Sequence, residues 1–227
     1  VTPQAPEAAI GYAVLAALLA IPAWRWVRAG GHRRDSDDSS VEVPTALWLV
    51  PLAAIVGGVL GWVHGGSVAL ALVLVVVSVV LLVLCAVDLD VHRLPDKLTG
   101  FTFVLALVGL TVVALVSGDW ESWRRALLAS LALGALYVAL VLIGRGSGMG
   151  LGDAKLSPSL GLMLGHLSWG AVFVATMATF LIGGLVATWL VVARGASRST
   201  HLAFGPAMVG GAVLVWCLPS LPRLLPW

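Results

Sequence analysis

The sequence predicts an all-α, polytopic integral membrane protein of about eight transmembrane helices. Sixty per cent of its 227 residues are hydrophobic and 11% are charged, against roughly 25% charged in a soluble domain. Mean hydropathy is +1.04. The apolar residues fall in runs of about membrane-spanning length, separated by polar or Gly/Pro punctuation. A surface with so few charges must face lipid.

Spans are expected at about 8–27, 45–64, 67–88, 98–117, 125–144, 155–167, 168–193 and 203–221. The first follows a short polar lead without a basic segment or a small-residue cleavage site, so it reads as a span and not a removable signal peptide. The sixth is short and interrupted by Pro158, Gly161 and Gly165, which predicts a partial helix. Residues 28–44, RAGGHRRDSDDSSVEVP, read as a flexible solvated connector. Residues 118–125, GDWESWRR, read as a wet turn on the opposite side.

Basic residues in short loops mark the cytoplasmic side. Alternating the loops places Arg25, Arg28, Arg33, Arg34, Arg93, Lys97, Arg145, Lys155, Arg194 and Arg198 together, and Arg124, Arg125 and Arg223 opposite. That split is ten against three, all 13 basic residues. The ten-residue side is therefore expected to be cytoplasmic, with both ends of the chain outside. Tryptophans 24, 26, 48, 62, 120, 123 and 169 fall near proposed span ends, as amphipathic rings do at the headgroup layer.

Some function classes are excluded early. No basic stretch with interleaved aromatics serves nucleic acid. The two cysteines, Cys85 and Cys217, lie in apolar runs and form no CxxC. The five histidines are scattered, without HExxH or zinc-ligand spacing, so no metal is expected.

The acids carry the chemistry. A carboxylate deep in a bilayer costs about 3 kcal/mol on insertion scales. Seven of the eleven acids lie in aqueous segments; Asp88, Asp90, Asp96 and Asp153 lie at span ends on the cytoplasmic side. They form two clusters, far apart in sequence but on one membrane face. Asp88 is the most lipid-proximal of the first cluster. Asp90, two positions on, points away from it on a helix, and Asp96 follows Pro95 at a natural helix start, as a cap. His92 is placed to tune Asp88. Asp153 follows GRGSGMGLG, with glycine at every second position from 144 to 152. Such a stretch is no stable helix and lets another backbone approach closely. Two carboxylates in one site hold one proton between them, because both cannot ionise at close range. One then acts as base toward water and the other as acid toward a peptide carbonyl. Asp88 and Asp153 are the expected catalytic pair. Gly148, Gly150, Gly152, Lys155 and Pro95 are expected to bind substrate.

These clusters resemble those of the type IV prepilin peptidases, a family of GxGD aspartyl proteases. The family pattern IDLDxxxLPDxLT is similar to residues 87–99, VDLDVHRLPDKLT. Its GMGxGDxKL is similar to residues 148–156, GMGLGDAKL, and a later FGP to Phe204-Gly205-Pro206. The resemblance spans about residues 46–219. It implies leader-peptide cleavage at the cytoplasmic face of a bacterial plasma membrane, commonly after a Gly. The substrate would be a type IV prepilin or pseudopilin with a short basic leader and a hydrophobic helix. On this reading residues 1–44 are an N-terminal helix and connector, and 45–227 the catalytic membrane region. Many family members carry two CxxC pairs in an N-terminal cytoplasmic domain, and some methylate the new terminus with S-adenosylmethionine. This sequence has no CxxC, so no cofactor and no methyl transfer are expected. The alternative is a proton-coupled transporter, which would place its acids near the midplane, often in repeated halves; no such repeat is seen.

Overall fold

A computed structural model describes residues 6–33, 43, 45–144, 150–194, 203–218 and 220. Among these residues it is all helical: α1 (Pro6–Arg28), α2 (Leu49–His64), α3 (Val68–Val91), α4 (Asp96–Ser117), α5 (Trp120–Ile143), α6 (Leu151–Leu167), α7 (Trp169–Arg194) and α8 (Gly205–Cys217). α1, α3, α4, α5 and α7 are long and apolar enough to cross a membrane, while α2 and α8 are shorter apolar helices. The protein is thus a polytopic helical membrane protein. At 1.5 Å per residue, α8 spans roughly 20 Å, short of a hydrocarbon core of about 30 Å. The expected span 203–221 is therefore too long: the helix covers 205–217.

Lipid is as apolar as leucine, so hydrophobicity alone does not join helices in a bilayer. Close backbone approach through small residues does. α1 and α2 meet at Gly57, where a methyl group would lie 2.5 Å from Ala16 Cβ and 2.9 Å from the Tyr12 carbonyl oxygen. α5 and α6 meet at Gly161 and Gly165, which face Ala129, Ser130 and Ala126. α7 and α8 meet at Gly211, against Ala175 and Thr179. α3, the most buried of the long helices, packs on α1, α2, α4 and α8; α6 packs on α4, α5, α7 and α8.

α6 differs from the expectation of a partial helix. It is continuous for 17 residues. Pro158 lacks the amide that would bond Ala154, and the Ser157 hydroxyl donates to that carbonyl instead, at 2.9 Å. The ring of Pro158 lies against Gly134 of α5. Gly161 and Gly165 are the surface on which α5 rests, not breaks.

The turn before α5 is also more structured than expected. Asp119 caps α5 by accepting the Ser122 amide at 3.0 Å, and Ser122 holds its carboxyl below the usual range. Arg125 donates to the Gly165 and His166 carbonyls, both at 2.7 Å, closing the C-terminal end of α6. His64 pairs with the Trp216 carbonyl at 2.9 Å, tying α2 to α8 at this same end.

Candidate active site

The opposite end of the bundle gathers the acids. α3 runs three residues past Asp88, to Val91, so Asp88 lies inside the last helical turn and not at its end. It is 4% exposed. His92 closes the helix in the left-handed region, φ 49°, and its amide bonds the Asp88 carbonyl at 2.9 Å. Residues 92–95 then turn the chain into α4.

Asp153 is 6% exposed. The glycine-rich segment was expected to run up to it, but α6 begins earlier, at Leu151, with Gly150 as its cap residue. Asp153 occupies the first turn, and its Oδ2 accepts the Gly150 amide at 3.2 Å. A carboxylate here satisfies a free helix-start donor and suits the positive end of the helix dipole.

Asp88 has the same kind of partner from a distant part of the chain. Its Oδ2 accepts the amide of Gly205, 117 residues away, at 3.1 Å. Gly205 is the first residue of α8, so each carboxylate accepts a glycine amide at a helix start. Leu94 packs against both helix starts. It lies 3.1 Å from where a methyl on Gly152 would stand and 3.6 Å from one on Gly205. This gathers the two carboxylates at one end of the bundle.

An aromatic wall adjoins the acids. Tyr137 of α5 is 2% exposed. Its ring stacks on Phe180 at 6.2 Å, and Phe180 meets Phe204 at 5.9 Å. Phe204 directly precedes the amide that holds Asp88.

The other expected residues divide. Gly150, Gly152 and Pro95 are at this end; Gly148 lies outside the described residues. The Lys155 ammonium reaches Asp96 across the gap from α6 to α4, at 2.7 Å and largely exposed. Asp96 is the first residue of α4 rather than its cap; Pro95 holds the cap position without a side-chain bond. Asp90 faces away from Asp88, as expected, and is held by His32 and Arg33. That contact also corrects the connector: residues 29–33 form an ordered turn, with Gly30 at φ 71° and the Arg33 amide on the Gly30 carbonyl at 3.0 Å. Gly205, Tyr137 and His32 were not expected at the site. For Gly205 the signal was the FGP motif.

Gly205→Ala tests the amide–carboxylate contact. A methyl there would stand 2.7 Å from Asp88 Oδ2. The displaced atom is the tip of a side chain, so the fold absorbs the change while the carboxylate moves. The expected result is a folded protein with turnover reduced roughly tenfold or more, since displacements of about an ångström can cost far more than binding losses. Unchanged turnover would show that the contact does not position Asp88.

Two buried carboxylates from separate helices, each tied to a helix-start amide at one end of a polytopic bundle, define a membrane protein built around an acid pair. The comparisons with known proteins agree with that class. The chain belongs to the type IV leader peptidase family, whose model matches residues 75–188. It is 32% identical over 203 residues to the prepilin leader peptidase/N-methyltransferase of Aeromonas hydrophila, covering 85% of this chain and 64% of that protein. It is 30% identical over 218 residues to that of Aeromonas salmonicida strain A449, covering 89% and 68%. The Bacillus subtilis protein of the same name is 30% identical over 152 residues, covering 66% and 57%. The chain thus spans about two thirds of the length of the Aeromonas relatives. No solved structure matches it significantly.

Proposed function

We propose that this protein is an intramembrane aspartyl endopeptidase. It removes the leader peptide of type IV prepilin-like proteins at the cytoplasmic face of a bacterial plasma membrane. The observation that supports this best is the pairing of buried Asp88 and Asp153 at one end of the bundle, each on a glycine amide, within a chain of the leader peptidase family.

Asp88 and Asp153 share one proton. The ionised member takes a proton from water as the oxygen attacks the scissile carbonyl carbon. The protonated member donates to the carbonyl oxygen; as the gem-diol collapses, the carboxyl that took water's proton passes it to the leaving amine and the other carboxylate regains a proton from the diol. Burial beside apolar Leu94 and the aromatic wall keeps bulk water from the pair. The glycine amides orient each carboxylate without adding charge. An extended substrate strand docks where the glycine-rich segment enters α6, at Gly150 and Gly152. Pro95, at the start of α4, and Lys155 of α6 contact the same strand. The substrate's hydrophobic helix lies in the bilayer and its basic leader in the aqueous phase.

The Aeromonas relatives are named for methyl transfer as well as peptidase activity. We assign this chain the cleavage alone, without S-adenosylmethionine, because its sequence contains no CxxC. Residues 45–227 form the catalytic region, and 1–44 supply the first helix and connector. The test is incubation of the purified protein, in detergent or proteoliposomes, with a prepilin bearing a basic leader and hydrophobic helix. Mass spectrometry should show one cut between leader and helix, and methyl-labelled S-adenosylmethionine should leave the product unlabelled. An intact prepilin rejects the peptidase reading, and a labelled terminus rejects the single-activity reading.

A further inference from the structure

The last turn of α3 poses an electrostatic problem that the helix does not solve itself. Asp88 and Asp90 lie at its C-terminal end, where the dipole and unpaired carbonyls disfavour negative charge. No basic residue lies in that turn. The compensation comes from the turn that follows α1. His32 Nε2 lies 2.6 Å from Asp90 Oδ2, Arg33 Nε donates to the same oxygen at 2.9 Å, and Arg33 Nη2 donates to Oδ1 at 2.7 Å. The side chains of His32, Asp90 and Arg33 are 0%, 3% and 14% exposed. A two-pronged guanidinium–carboxylate contact fixes direction as well as distance. The His32 ring is further wedged edge-on against Trp26, at 5.8 Å.

Asp88 and Asp90 are two residues apart, so they project about 200° apart around the helix. The turn is therefore gripped from two sides: by α8 through Asp88 and by the α1 turn through Asp90. Two opposed anchors fix its rotation about the helix axis, which a single anchor leaves free.

We propose that His32 and Arg33 are positioning residues of the active site: clamping Asp90, they hold the last turn of α3 so that Asp88 faces Gly205 and Asp153. This rests on the peptidase reading given above. It makes the turn after the first helix part of the site, although it touches neither acid of the pair.

The test is prepilin cleavage by His32→Ala, Arg33→Ala, Asp90→Ala and the double variant Arg33→Ala/Asp90→Ala, with rates expressed per folded molecule. Each single change should lower kcat roughly ten- to a hundredfold and leave KM within about twofold. The double variant should be no slower than Asp90→Ala alone, because both remove one shared contact. Arg33→Lys, which keeps charge without the fork, should recover part of the loss. A merely structural contact would lower the folded fraction and leave kcat per folded molecule unchanged, which would overturn the proposal, as would single losses that multiply. Asp88→Ala and Asp153→Ala, run beside them, separate the two readings. If those abolish cleavage while the clamp variants turn over normally, the clamp alone is wrong; if those still cleave, the acid pair is wrong.

Discussion

Asp88→Asn and Asp153→Asn are each expected to abolish prepilin cleavage in a protein that stays inserted and folded. Asparagine keeps the size of the side chain and an oxygen to accept the Gly205 or Gly150 amide. It cannot take up or release the proton that the proposed mechanism passes between the pair. Loss of one acid–base partner costs about 10²–10⁴-fold, and here both partners serve the same proton, so the loss should sit at the upper end. Stability should not fall with it. Two buried carboxylates oppose each other's ionisation, and replacing one removes that opposition, so the melting temperature in detergent should hold or rise slightly. Initial rates on a prepilin substrate, alongside thermal melts of the same preparations, check both halves. Cleavage within tenfold of the native rate by either variant would remove that aspartate from the mechanism.

The second large effect is structural. Gly161→Leu should separate α5 from α6 and take the activity with it. A methyl at Gly161 would already lie 2.7 Å from both the Ala129 carbonyl oxygen and Ser130 Cα. Those are backbone atoms of a regular helix and cannot swing aside. Overpacking of this kind costs typically 1–3 kcal/mol and occasionally more, and an isobutyl group against backbone belongs at the high end. α6 also carries Asp153, whose partner amide is its own helix start, while Asp88 is held from α8. Moving α6 outward therefore pulls one carboxylate from the other. The expected result is a drop in melting temperature together with loss of cleavage. Gly184→Leu is the control: a methyl there meets nothing within 4 Å, and it should change neither. A Gly161→Leu protein with native melting and native turnover would contradict the packing described here.

Much of this was legible in the residues alone. Hydropathy located the eight helices seen among the described residues, because contact with lipid demands apolar runs. Asp88 and Asp153 stood out since a carboxylate in such a run has no solvent to repay it. The ends were less exact. α6 starts at Leu151, four residues before the expected 155, and α5 at Trp120, five before the expected 125. Helix-start carboxylates, Asp153 and Asp119, extend these helices into polar sequence that hydropathy assigns to loops.

The sequence by itself marked the apolar helices and the polarity of their surfaces, and it singled out two acids as the expected pair. Only the tertiary structure decided which partner each acid meets. Gly205 reaches Asp88 across 117 residues, and Arg33 reaches Asp90 across 57. In lipid, the outward and inward faces of a helix are equally apolar, so no stripe of hydrophobic residues marks which side faces a neighbour. That choice falls to glycines allowing close approach and to a few polar contacts, whose partners are fixed by helix packing and not by spacing along the chain.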